Sequence, residues 1–155
     1  MTNAATPTTT ARPQTAKDFE SVLDFDSPPE SVLAALRDAE AIAGWWGVTN
    51  GSPTDGAAFS VGFGGNRQID MVVGAAGPQR VEWQVEAAPF TPEWDGTTIV
   101  FEVERAGEGT TVRFRHLGLT PQLDCFDMCH AGWTHYLASL VGYVDRGEGQ
   151  PYAGD

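Results

Sequence analysis

Apolar residues recur along Asp124 to Asp145, DCFDMCHAGWTHYLASLVGYVD, at the spacing of one helical face. Taken at about 100° per residue, Phe126, Cys129, His130, Trp133, Leu137, Leu140, Val141 and Val144 fall within roughly 60° of one direction, whereas Asp127, His135 and Asp145 do not. This predicts a long amphipathic helix. Thr120-Pro121 and the acids Asp124 and Asp127 suit its N-terminus, and Arg146, Gly147 and Gly149 suit its end. So wide a stripe needs a broad partner surface, and the segments before it read mostly as strands.

In Phe19 to Phe25, Phe19, Ser21, Leu23 and Phe25 alternate against Glu20, Val22 and Asp24, which predicts a strand with one buried face. Ser27-Pro28-Pro29-Glu30 then offers a capping serine, prolines at the first helical positions and a glutamate three residues on. A short helix through Val32, Leu33 and Leu36 is expected there. It should break near Arg37-Asp38 and resume from Ala39 to Ala43, ending at Gly44 before Trp45-Trp46-Gly47. From residue 48 to 117 the punctuation is turn chemistry: Asn50-Gly51, Asp55-Gly56, Gly64-Gly65-Asn66, Gly77-Pro78, Asp95-Gly96 and Gly107-Glu108-Gly109. Between the turns lie alternating runs, clearest from Arg80 to Ala87, where Val81, Trp83 and Val85 alternate with Glu82, Gln84 and Glu86, and around Phe59, Val61 and Phe63. The last hairpin can be registered: if Arg105 opposes Thr110, then Val103 meets Val112, Phe101 meets Phe114 and Ile99 meets His116 on one face. Glu102 then meets Arg113 on the other face, which makes the arginines of that strand solvated ion-pair partners.

The 155 residues, 41% of them hydrophobic, suit a single domain over residues 17–152, preceded by a disordered tail at 1–16 that lacks the apolar run of a signal peptide. A cytoplasmic protein is therefore expected. The net charge of -12 would repel phosphate backbones and anionic bilayers, so neither nucleic acid nor a membrane is an expected partner. Cys125 and Cys129, four apart on one helix, read as reduced thiols.

Strand, two short helices, a meander and one long C-terminal helix make an α+β arrangement, a curved antiparallel sheet of about six or seven strands with the helix laid across it. The order, Trp45-Trp46, GTTVRFRHLGL at 109–119, Gly132-Trp133-Thr134-His135-Tyr136-Leu137 with Leu140, and the Gly147-Glu148-Gly149-Gln150-Pro151-Tyr152 ending together resemble the SRPBCC or START-like superfamily. The resemblance spans residues 17–152 and is to the branch of homologues of the activator of the 90-kDa heat-shock-protein ATPase. It implies a helix-grip fold around a hydrophobic cavity, used in different members for ligand binding, for cyclase and hydrolase chemistry, or for chaperone contact. No universal catalytic motif comes with it.

The leading expectation is a binding cavity for an apolar or aromatic ligand between sheet and helix, with Trp133 and Phe114 as walls and His116, inward on the last strand, as the polar contact. Trp46, Phe59, Phe63, Trp83, Phe101, Cys129, His130 and Leu137 complete the expected lining. The alternative use of His116 is a hydrogen-bonded strand end. A cavity enzyme moving a proton needs a second titratable group facing His116, and His130 is the candidate. Cys125, Cys129, His130 and His116 nominally form a metal set, but Cys129 and His130 point about 100° apart on a helix, and no metal or other cofactor is expected. Asn66, Arg67 and Asp70 carry no face assignment. A homodimer and, from the branch name alone, a chaperone contact stand as further partner readings.

Overall fold

The computed structural model describes residues 18–64, 67–74 and 77–152. The expected tail at 1–16 lies outside them. Seven strands, β1 (Phe19–Phe25), β2 (Val48–Gly51), β3 (Ala58–Gly62), β4 (Gln68–Gly74), β5 (Arg80–Ala87), β6 (Thr98–Ala106) and β7 (Gly109–Leu117), form one antiparallel sheet in the order β1-β7-β6-β5-β4-β3-β2. Helices α1 (Pro29–Arg37) and α2 (Ala39–Trp45) follow β1, and α3 (Phe126–Arg146) closes the chain. This is the α+β helix-grip arrangement the sequence predicts.

Period-two alternation decides which side of the sheet is core. Val61, Ile69, Met71, Trp83, Ile99, Phe101, Val112 and Phe114 are buried on the inner face, where Trp133, Leu137 and Leu140 of α3 meet them. The β6–β7 hairpin has the predicted register throughout, Arg105 opposite Thr110 to Ile99 opposite His116. Its outer face differs in its ion pairs. Glu102 stands opposite Arg113, yet its carboxylate takes Arg80 at 2.7 Å and Arg115 at 3.5 Å. The reason is register on the other side: β5 sets Arg80 directly opposite Glu102.

Two helix starts also differ from the expected chemistry. Ser27 does not cap α1, because Pro28 and Pro29 leave fewer N–H groups to cap. Its hydroxyl donates instead to Asp145 Oδ1 at 2.7 Å, and the same carboxylate accepts the Asp26 and Ser27 N–H groups, tying the end of α3 to the end of β1. Asp38 does cap α2, accepting from Ala41 N at 3.0 Å. Helix α3 begins two residues later than expected, at Phe126, with Asp127 in its first turn as expected, and a second acid at its start comes from elsewhere in the chain. Glu93 accepts the N–H groups of Cys125 at 2.9 Å and Asp124 at 3.2 Å.

The buried stripe of α3 is narrower than predicted. Cys129, Trp133, Leu137 and Leu140 are buried, Phe126, Val141 and Val144 are half-buried, and His130 is exposed. His130 sits one residue, about 100°, from the stripe's centre line at Cys129, where its ring packs edge-on with Phe19, centres 5.1 Å apart, and tilted against Phe126 at 5.7 Å.

The ending after α3 is held by close backbone approach. Gly147 takes the left-handed conformation (φ 69°), and the N–H groups of Gly147 and Glu148 return to the carbonyls of Tyr143 and Gly142, a left-handed glycine stop. At Gly149 a side chain would collide with the Gly44 carbonyl. Buried Ser139 links the pieces, donating to Trp45 O at 2.8 Å and accepting from Gln150 N at 2.6 Å, and Tyr152 N donates to Trp46 O at 2.8 Å. The tail is thereby laid beside the second tryptophan. Among the described residues no helix is long and apolar enough to cross a membrane.

Candidate functional site

All five tryptophans meet in one column. Trp45 and Trp46, consecutive at the end of α2, stack at 5.5 Å, and Trp46 stacks on Trp83 of β5 at 5.8 Å. Trp46 also meets Trp133 of α3 at 5.1 Å, and Trp133 stacks on Trp94, from the short turn Pro92–Trp94, at 5.8 Å and 5° between planes. Such contacts are worth about 0.5–1.5 kcal/mol each beyond their burial, so the column is also a structural spine.

Beside it opens a cleft of about 410 Å³, walled by Trp46, Phe63, Ile69, Trp94, Cys129, Trp133 and Tyr136, with Arg67, Phe90, Thr91, Met128, Gly132 and Tyr152 completing its lining. Phe90 is 40% and Met128 66% exposed, which makes an apolar lip. Gly132 of α3 borders this space without a side chain, and a Cβ there would meet nothing within 4 Å. A larger depression of about 570 Å³ lies on the outer sheet face, but Arg80, Glu102, Glu104 and Arg113 line it and it lacks an aromatic wall.

Of the residues singled out in the sequence, the structure brings Trp46, Phe63, Cys129 and Trp133 together on this cleft. Phe59, Trp83, Phe101, Phe114 and Leu137 are in the packed core; Phe114 touches Trp133 at 4.6 Å without lining the cleft. His130 is outside it. Tyr136 and Tyr152 stood only in the motifs of the family resemblance, and Trp94, Arg67, Phe90 and Thr91 lie between strands, where no periodicity places them.

His116 points inward as the register requires, yet it is 0% exposed and sealed behind indoles. Trp133 Nε1, which can only donate, donates to His116 Nδ1 at 3.0 Å. That assigns the remaining ring proton to Nε2, which lies 2.8 Å from Thr97 Oγ1, and the Thr97 hydroxyl donates onward to Trp94 O at 2.6 Å. Every atom of this buried chain is used. Burial holds the imidazole neutral, its pKa lowered to about 3. His116 is therefore a fixed acceptor in the core, and its nitrogens do not reach the cleft.

Two thiols stand at the start of α3, both free. Cys129 Sγ accepts from Trp94 Nε1 at 3.1 Å. Burial, then the neighbouring Cys129, push the Cys125 thiol up to about 12, so it is protonated and a poor nucleophile. Glu93 is held below the ordinary carboxylate range, first by the Cys125 N–H. Thr91, 5% exposed, has a buried hydroxyl oxygen on the cleft with no hydrogen-bond partner among the described residues beyond its weak approach to the Cys125 thiol. Among the described residues no three His, Cys, Asp or Glu side chains converge as a metal set would.

Residues 26–145 match the family described as Activator of Hsp90 ATPase homolog 1-like protein. Among curated proteins none matches the chain. The Aha1 dimer of Colwellia psychrerythraea is similar over 86% of this chain and 99% of its own, with 25% identity and a TM-score of 0.74. MLL2253 of Mesorhizobium loti is similar over 84% of this chain and 99% of its own, at 23% identity and a TM-score of 0.69. CalU16 of Micromonospora echinospora follows the same course over 85% of this chain and 78% of its own, at 17% identity and a TM-score of 0.68. The last two share the fold alone.

Proposed function

The chain belongs to the Activator of Hsp90 ATPase homolog 1-like family, a branch of the SRPBCC superfamily, and from that premise we propose that it binds an apolar or aromatic small molecule in the cleft beside Trp133. The observation that carries the reading is the cleft itself, about 410 Å³ of space walled by indole and phenyl rings. Sites of roughly 300–1,000 Å³ with mostly apolar walls suit small ligands. A proton-transfer enzyme is less well supported, since both nitrogens of His116 are engaged and His130 lies elsewhere. The similar Colwellia protein is described as a dimer, and self-association of this chain is a second reading; a single monomeric species at all concentrations in sedimentation would remove it. Chaperone contact rests on the family description alone.

Gly132 gives the test. Gly132→Phe should fill the cleft from a helix position on its lining where an added Cβ meets nothing within 4 Å. Saturable binding of the neutral probe N-phenyl-1-naphthylamine, followed by probe fluorescence and tryptophan quenching, should be lost in this variant. The fold should survive: Gly132→Ala, the control, should gain up to about 1 kcal/mol from helix propensity and still bind. Probe binding unaffected by Gly132→Phe would place the ligand elsewhere.

A further inference from the structure

Given the proposed binding cleft, on which this inference rests, we infer that its ligand carries an anionic group, a carboxylate or an equivalent, seated at Arg67 while its apolar body lies against Trp133 and Phe63. Arg67 is the one charged side chain among the described residues that line the cleft. The chain holds 21 acids and only nine lysines and arginines, so a basic residue at an aromatic mouth goes against its overall charge. Long-range repulsion from a net charge of -12 disfavours anions, and a local cation at the mouth is what an anionic ligand would require.

The guanidinium is positioned for this. The Gly64 carbonyl accepts the Arg67 N–H at 3.1 Å and the Arg67 carbonyl accepts from Phe63 N at 2.8 Å, so the backbone ties Arg67 to Phe63 on the cleft that both line. Its Nη2 donates to Tyr152 Oη at 2.8 Å, and its charge lies 5.3 Å from the centre of the Tyr152 ring. Tyr136, half-buried on the same wall, feels this charge: burial and the Tyr152 phenol push its hydroxyl up, and Arg67 pulls the other way. One guanidinium and two phenols thus face the same end of the cleft. The planar fork of a guanidinium matches a carboxylate bidentately, and phenol O–H groups add donors to it. A neutral apolar ligand would use none of these groups.

The experiment displaces N-phenyl-1-naphthylamine with decanoate and with decanol, which share an apolar chain and differ in headgroup charge. Decanoate should displace the probe from the wild type at a concentration at least about fivefold lower than decanol, a ratio that shrinks in high salt. In Arg67→Met, and in Arg67→Gln as a second variant, the ratio should fall to near one, with thermal midpoints showing that both fold. Arg67→Lys should keep part of it. A ratio near one in the wild type, or one unchanged in both neutral variants, overturns the inference while leaving the apolar cleft as a binding site. Failure of the probe itself to bind overturns both.

Discussion

Trp133→Ala is expected to lose about 3–5 kcal/mol of stability in urea unfolding, the range for a large aromatic removed from a packed interior. The indole is 2% exposed and in ring contact with Trp46, Trp94 and Phe114, so its removal opens the middle of the spine that joins α2, β5, α3 and the Pro92–Trp94 turn. Trp133→Phe separates packing from polarity. It keeps much of the ring but withdraws the indole donor to His116 Nδ1, leaving a buried acceptor unsatisfied at a cost of about 1–3 kcal/mol beyond the lost volume. A loss below about 1 kcal/mol for Trp133→Ala would mean that the indole is not packed as described.

Acid should destabilise the protein through His116. The folded-state pKa is lowered to about 3 by burial, against an ordinary 6.5, so between those values the unfolded chain binds a proton that the folded chain refuses. Stability therefore rises with pH through this window and is lost as pH falls below about 6.5, at roughly 1.4 kcal/mol per pH unit from this one group. Asp145 acts in the same direction lower down. Its partial burial is outweighed by the N–H groups of Asp26 and Ser27 and by the Ser27 hydroxyl, which hold its carboxyl below the ordinary value. His116→Gln should be less stable at neutral pH and have a flatter slope between pH 6 and 4. An equal slope in wild type and variant would show that the imidazole is not kept neutral by the fold.

The fold was legible because its signals are periodic. The alternation of Val81, Trp83 and Val85, the registered pairs from Arg105–Thr110 to Ile99–His116, and the spacing of Cys129, Trp133, Leu137 and Leu140 each report a face directly. The cleft was legible only where it borrows those faces, at Trp133, Cys129, Trp46 and Phe63. Its other walls come from the turn before Arg67, the Phe90–Trp94 segment and the tail at Tyr152, where no repeat relates a residue to a direction. His130 shows the limit of the helical wheel, since one residue's rotation from Cys129 decides between cleft and solvent. Glu93 beneath the start of α3 and Arg80 on Glu102 depend on which strands and turns become neighbours. His116 needed its partners: inward parity was readable, but the indole donor that fixes its tautomer comes from a helix 17 residues away in sequence.

Binding in the cleft is tested most directly by the indole N–H resonances of the five tryptophans during titration with N-phenyl-1-naphthylamine. Trp46, Trp94 and Trp133 line the cleft, whereas Trp45 and Trp83 are buried at 0% exposure away from it. Saturable shifts largest at Trp46, Trp94 and Trp133, and absent in Gly132→Phe, are the predicted result. No saturable shift, or shifts that persist when Gly132 is filled, would contradict a binding site beside Trp133.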